Sequence, residues 1–161
     1  MRYIDLHVHS NCSDGTFSPE ELVVLGIKQE LVAFALTDHD TISGVERAIK
    51  KAEEFDNKIQ VIPGMELSCK YTISSSQSVE IHMLGYRYDI HNKKLIATLE
   101  DISNERDERN RKMCSNLQNA GFPISYDMLC ERFGDTILTR AHFARLLLEN
   151  GGVPSLDYAF R

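Results

Sequence analysis

The stretch Ile4-Asp5-Leu6-His7-Val8-His9 alternates apolar and polar side chains with a period of two. That period belongs to a β-strand, whose successive side chains point to opposite faces. One face is apolar and the other carries two imidazoles and a carboxylate, groups able to ligate a metal. Turn residues Ser13-Asp14-Gly15 follow, and then Ser18-Pro19-Glu20-Glu21. Ser18 as N-cap, Pro19 in the first turn and Glu21 closing a capping box predict a helix running to about Glu30.

Working outward, Leu31-Val32-Ala33-Phe34-Ala35-Leu36 is a continuous apolar run of strand length, expected where both faces of a sheet are covered. It ends in Thr37-Asp38-His39-Asp40-Thr41. Helical spacing over Val45 to Phe55 and a short strand over Ile59 to Ile62 come next, the latter ending at Pro63-Gly64-Met65-Glu66. Strand, helix, strand, helix, strand is the pattern of a parallel sheet with crossover helices. The serine-rich turn at Ser74 to Ser78 separates two further strands, Ser68 to Ile73 and Val79 to Tyr86, the second containing His82. Beyond Asn92 the positions Leu95, Leu99, Ile102, Arg106, Arg109, Met113 and Leu117 step by three and four, predicting a long amphipathic helix stopped at Gly121. Shorter helices are expected over Ser125 to Phe133 and Thr139 to Asn150.

Composition narrows the class. With 161 residues, 42% hydrophobic and 26% charged, the chain suits an ordinary folded domain and excludes disordered, collagen-like and coiled-coil classes. No apolar run approaches the length of a membrane span, and His and Asp within Met1 to His9 replace the apolar core of a secretory signal, so a cytoplasmic protein without membrane partners is expected. The scattered Cys12, Cys69, Cys114 and Cys130 form no Cys-x-x-Cys pair and are expected to be reduced thiols. A net charge of −6 argues against a surface that coats nucleic acid. It leaves room for a nucleotide substrate, because bound divalent ions reverse the local field of an acidic pocket.

Chemistry concentrates at the strand ends: His7 and His9 with Asp14, then Asp38, His39 and Asp40, then Glu66, then His82. A His-x-His pair on one strand aims both imidazoles at the same side, where both can reach one ion. Nitrogen and oxygen donors without thiolate suit Mn²⁺, Fe²⁺ or Zn²⁺, and a carboxylate can bridge two ions. The candidate metal ligands are therefore His7, His9, Asp14, His39, Glu66 and His82, and Asp38, His39 and Asp40 are the candidate catalytic residues.

His7-Val8-His9-Ser10 with Ser13-Asp14-Gly15, Leu36-Thr37-Asp38-His39-Asp40-Thr41 and Pro63-Gly64-Met65-Glu66 together resemble the first three motifs of the PHP family, the polymerase and histidinol phosphatase family. His82 in Ile81-His82-Met83-Leu84-Gly85-Tyr86 is similar to its next ligand segment. The resemblance implies an α/β fold, the N-terminal part of a distorted seven-stranded β/α barrel, over 1–90. It also implies a helical insertion over 91–161, with the barrel incomplete in this chain. Two to three divalent ions would be held, one by His7, His9 and Glu66, one by Glu66 and His82, and one by Asp14 and His39.

The helical half, through Thr139-Arg140-Ala141-His142-Phe143-Ala144, resembles the insertion of PHP phosphoesterases that act on small nucleotides and RNA 5′ ends. Arg140 and His142, at a helix N-terminus capped by Thr139, are the candidate phosphate-binding residues. Arg106, Arg109 and Arg111 are read as a solvated helix face. The activity this implies is hydrolysis of a phosphate ester of a nucleotide or a short RNA or DNA 5′ end through a metal-bound hydroxide. The alternatives are an inactive, structural metal-binding PHP module and a histidinol phosphatase-like enzyme. Four or five strands are too few to close a barrel, so an open sheet edge available for self-association is also expected.

Overall fold

The computed structural model describes residues 3–134 and 136–160. In chain order the elements are β1 (Tyr3–Val8), α1 (Pro19–Lys28), β2 (Leu31–Leu36), α2 (Val45–Glu53), β3 (Gln60–Ser74), β4 (Gln77–Tyr86), α3 (Lys93–Asn119), α4 (Tyr126–Phe133), α5 (Arg140–Glu149) and α6 (Leu156–Ala159). Backbone contacts divide the chain into Met1–Leu99 and Glu100–Arg161, so the division falls inside α3, beyond the 90/91 boundary expected from sequence.

In the first unit the strands form one mixed sheet of order β1-β2-β3-β4. β1 with β2 and β2 with β3 run parallel, joined by helices as the crossover pattern requires, and β4 returns antiparallel to β3. The capping box at Ser18 forms as its spacing predicts: the hydroxyl accepts the Glu21 N–H while the Glu21 carboxylate accepts the Ser18 N–H. α1 and α2 bury Leu22, Val23, Val45, Ala48 and Ala52 against Phe34, Leu36 and Ile59. Each fully buried Val, Leu, Ile or Phe among them contributes about 1.5–3 kcal/mol of transfer free energy.

Two expectations change. The strands foreseen at Ile59 to Ile62 and Ser68 to Ile73 are one continuous strand of 15 residues, β3. Pro63, which has no N–H to give, takes the last position of the β2 ladder opposite Leu36, and Gly64 opens the β4 ladder opposite Tyr86, so the strand changes partner without stopping. Gly64 is required there because a Cβ would press on the Leu36 carbonyl and Thr37 Cγ2, both at 2.8 Å. The apolar face of β1 is also less covered than its alternation suggests: Val8 packs on the core, while Ile4 and Leu6 are 57% and 41% exposed.

The sheet curls. Tyr86, at the end of β4, donates its hydroxyl to the Leu6 carbonyl of β1 at 2.8 Å, although two strands lie between them in the sheet order. This mixed, curled four-stranded sheet matches the expected partial barrel, and the C-terminal ends of its parallel strands converge.

The second unit is helical. Its core is Cys114, Ile124, Leu129, Leu138, Phe143, Leu146, Leu147 and Val153. Ser125 caps α4 through the Met128 N–H, and Gly121 leaves α3 with φ +87°, a conformation glycine adopts without strain. Asn110, buried on α3, donates to the Leu138 carbonyl at 3.0 Å. The short α6, capped by Ser155, was not foreseen. Among the described residues no helix is long and apolar enough to cross a membrane.

Candidate metal centre

Glu66 stands at the middle of the site. It follows the partner change in β3, is 5% exposed, and bridges to His39 through paired backbone bonds: Asp40 N–H to the Glu66 carbonyl at 2.9 Å, and Glu66 N–H to the Asp38 carbonyl at 3.1 Å. Its Oε2 lies 2.7 Å from His7 Nε2, 3.0 Å from His9 Nε2 and 3.8 Å from His39 Nδ1. Its Oε1 lies 2.8 Å from His82 Nδ1. Asp14 approaches from the loop after β1, with Oδ1 3.2 Å from His9 Nδ1 and Oδ2 3.5 Å from His39 Nε2. The four rings form a chain, with centroids 5.0 Å apart for His7 and His9, 4.7 Å for His9 and His39, and 5.0 Å for His39 and His82.

Among the described residues, three groups of side chains bring donor atoms close enough to share an ion: His7, His9 and Glu66; His9, Asp14 and His39; and His39, Glu66 and His82. The structure thus brings all six sequence-proposed ligands together. The first group coincides with the one implied by family resemblance. To the pairs Asp14 with His39 and Glu66 with His82, the geometry adds His9 and His39 respectively.

These donors fit divalent cations. His39 Nδ1 is buried and makes no hydrogen bond, an unfavourable state for a ring nitrogen unless another partner takes its lone pair. The carboxylates are held in the ligating form. Burial opposes ionisation of Asp14, but the His9 hydrogen bond and the nearness of the His39 and His9 imidazoles outweigh it and lower its pKa to about 2. Glu66 is lowered in the same way, against burial, by His7, His39 and His9. His39 is lowered chiefly by burial, which keeps the imidazole neutral. For His9, burial is outweighed by Asp14 and Glu66, and its pKa rises.

Asp38 and Asp40, grouped with His39 as catalytic from sequence, belong to none of the three groups. Asp38 is 2% exposed and its carboxylate accepts three bonds from the loop after β1, while Asp40 Oδ1 accepts the Ser68 N–H of β3 at 2.8 Å. Of the two residues expected to bind phosphate, Arg140 is exposed at the first position of α5. His142 is only 5% exposed, packs edge-on against Phe133 at 4.6 Å, and accepts the Thr139 N–H on Nδ1 at 3.0 Å. It closes a capping box with Thr139, an internal role that the sequence reading missed. Glu80 was also missed; its Oε1 lies 3.3 Å from His82 Nε2, and the period of two in β4 places residues 80 and 82 on one face.

The model of the PHP domain matches residues 5–149. The chain belongs to the PHP family. It is 36% identical to a 5′-3′ exoribonuclease of Haemophilus influenzae over 98% of this chain and 54% of that protein. It is 32% identical to a 3′,5′-nucleoside bisphosphate phosphatase of Chromobacterium violaceum over 100% of this chain and 54% of that protein. Its structure is similar to that of an amidohydrolase from Chromobacterium violaceum solved with bound sulfate and no metal, with a TM-score of 0.86 at 32% identity, over 98% of this chain and 54% of the other. The PHP chain described here therefore spans about half the length of the curated relatives it matches.

Proposed function

We propose that this PHP chain carries the metal-binding half of a phosphoesterase that hydrolyses a phosphate ester of a nucleotide or of a short oligonucleotide end. The observation that carries the reading is the sharing of one buried carboxylate, Glu66, among four imidazoles from three separate segments. The similarity to an exoribonuclease and a nucleoside bisphosphate phosphatase supports the substrate class.

Mn²⁺, Zn²⁺ or Fe²⁺ would be held among the three groups, with His9 and His39, each offering one lone pair as a neutral imidazole, ligating a single ion apiece. When bound they would supply an ionised nucleophile at neutral pH and Lewis acidity toward the phosphoryl oxygens. The chain's own residues do the rest. Glu66 and Asp14 stay ionised and would balance the ions' charge, and burial holds His39 toward the neutral form that ligation requires. Arg140, exposed at the capped start of α5, offers a two-pronged guanidinium to a substrate phosphate. His142 closes the cap by accepting the Thr139 N–H.

Phosphate release from 3′-phosphoadenosine 5′-phosphate and shortening of a 5′-phosphorylated oligoribonucleotide, each with Mn²⁺ added, test the proposal, with histidinol phosphate as the comparison substrate. Release from a nucleotide substrate above that from histidinol phosphate is expected. A second reading, a metal-binding module without turnover, is favoured by the three-ligand size of each group and by the half-length match. Bound metal with no release from any substrate would decide for it.

A further inference from the structure

Asp38 and Asp40 flank the ligand His39 on the segment that follows β2, and their carboxylates grip opposite neighbours. Asp38 reaches back to the loop after β1: its Oδ1 accepts the Ser10 N–H at 2.7 Å and the Ser13 hydroxyl at 2.6 Å, and its Oδ2 accepts the Ser10 hydroxyl at 2.6 Å. Ser10 and Ser13 are 0% and 1% exposed, so these bonds form where water does not compete. The Ser10 hydroxyl in turn accepts the Cys12 N–H at 3.1 Å, and Gly15 donates its N–H to the Ser10 carbonyl at 2.9 Å. The loop folds so tightly that a Cβ on Gly15 would collide with the His9 carbonyl. Asp14 sits inside this loop, between Ser13 and Gly15. Asp40 reaches forward instead, to Ser68, which lies opposite His82 in the β3–β4 register.

We propose that Asp38 is a positioning residue chiefly for the ion of His9, Asp14 and His39: by fixing Ser10 and Ser13 it holds Asp14, a member of that group alone, and Asp40 serves the Glu66 and His82 side in the same way. The inference rests on the metal-binding reading above. Its geometry is that of an outer carboxylate that orients a ligand without touching the ion, an arrangement whose loss weakens metal affinity about 10–100-fold. The two side-chain grips are separate, although the Ser13 hydroxyl also lies 3.5 Å from His9 Nδ1 and the Asp38 backbone carbonyl accepts the Glu66 N–H, so the preference rests on Asp14 belonging to one group alone. The bonds to Ser10 and Ser13 do not involve β3, and the bond to Ser68 does not involve the loop after β1.

The test is Mn²⁺ binding to the full chain, followed by electron paramagnetic resonance and by elemental analysis after dialysis. Asp38→Ala is expected to weaken one ion about ten-fold or more and the others less. In an Asp14→Ala background it is expected to do nothing further, whereas in a His82→Ala background its effect persists. Asp38→Asn, whose side chain still accepts on one atom and can donate to the Ser10 hydroxyl, is expected to restore binding. Should circular dichroism show Asp38→Ala unfolded, Ser13→Ala, which deletes a single hydroxyl, decides in its place. Unchanged Mn²⁺ binding in the variant, equal weakening of every ion, or full additivity with Asp14→Ala would overturn the proposal. Wild-type chain that binds no Mn²⁺ would overturn the metal-binding reading itself, and this inference with it.

Discussion

His7 meets Glu66, Nε2 to Oε2, at 2.7 Å, though the two residues are 59 positions apart in the chain. His7 is half exposed and Glu66 is buried, so the pair joins the rim of the site to its floor. Glu66 belongs to two of the three ligand groups, and His7 to one. Glu66→Ala should therefore strip more Mn²⁺ than His7→Ala, leaving at most the ion of His9, Asp14 and His39. Phosphate release should fall about a hundred-fold or more, because several kcal/mol of transition-state charge stabilisation would go with it. Elemental analysis after dialysis and a phosphate assay check both parts.

Arg140 and His142 should separate cleanly. Arg140→Ala is expected to raise KM for a bisphosphorylated nucleotide several-fold while leaving the melting temperature within a degree or two, since Arg140 is exposed. Loss of the buried cap partner in His142→Ala should instead destabilise the helical unit by about 1–3 kcal/mol. Steady-state kinetics beside thermal melts would show the split; a lowered melting temperature for Arg140→Ala would remove it from the substrate-binding role.

Arg47 on α2 grips Glu20 on α1 with two bonds of 2.9 Å. Its hydrogen bonds hold the Glu20 pKa below the usual carboxylate value. Stability from this shift is present above the unfolded-state pKa and is lost as pH falls through the lower folded one. Both side chains are more than a third exposed, so solvent screens the pair and Glu20→Gln should cost about 0.5 kcal/mol or less at pH 7. Urea midpoints should converge once the medium is acid enough to protonate Glu20 in both states.

Thiol chemistry should differ between two cysteines of the helical unit. Burial pushes the Cys114 thiol up to about 11, whereas Cys130 is exposed. A disulfide reagent should label Cys130 in the native protein and Cys114 only on unfolding.

In the core of the helical unit, Leu129 is fully buried. Leu129→Ala should cost about 2–5 kcal/mol, read from the denaturation midpoint.

What the sequence disclosed followed from local physics. Ser18-Pro19-Glu20-Glu21 specifies its helix start within four residues, and β2 is recognisable because six apolar residues in a row admit little else. The six candidate ligands that the fold brings together were legible because metal-competent side chains gathered at strand ends, where a parallel sheet collects them. β3 was misread because Pro63-Gly64 carries the signature of a break, and only the change of strand partner lets it pass. The grip of Asp38 on Ser13 spans 25 residues and has no periodic trace, so His39 drew its neighbours into a catalytic reading. The capping role of His142 was not legible because a cap closed by an imidazole falls outside the usual Ser/Thr-x-x-Glu/Gln pattern.

The β3–β4 ribbon has two unlike sides. Glu66, Ser68 and His82 lie on one, and Tyr71, Val79, Ile81 and Met83, all at least 41% exposed, lie on the other. Because the pleat keeps these sides apart, an engineer could recolour the outer one with lysine or glutamate to improve handling at high concentration and leave the ligand geometry as it stands.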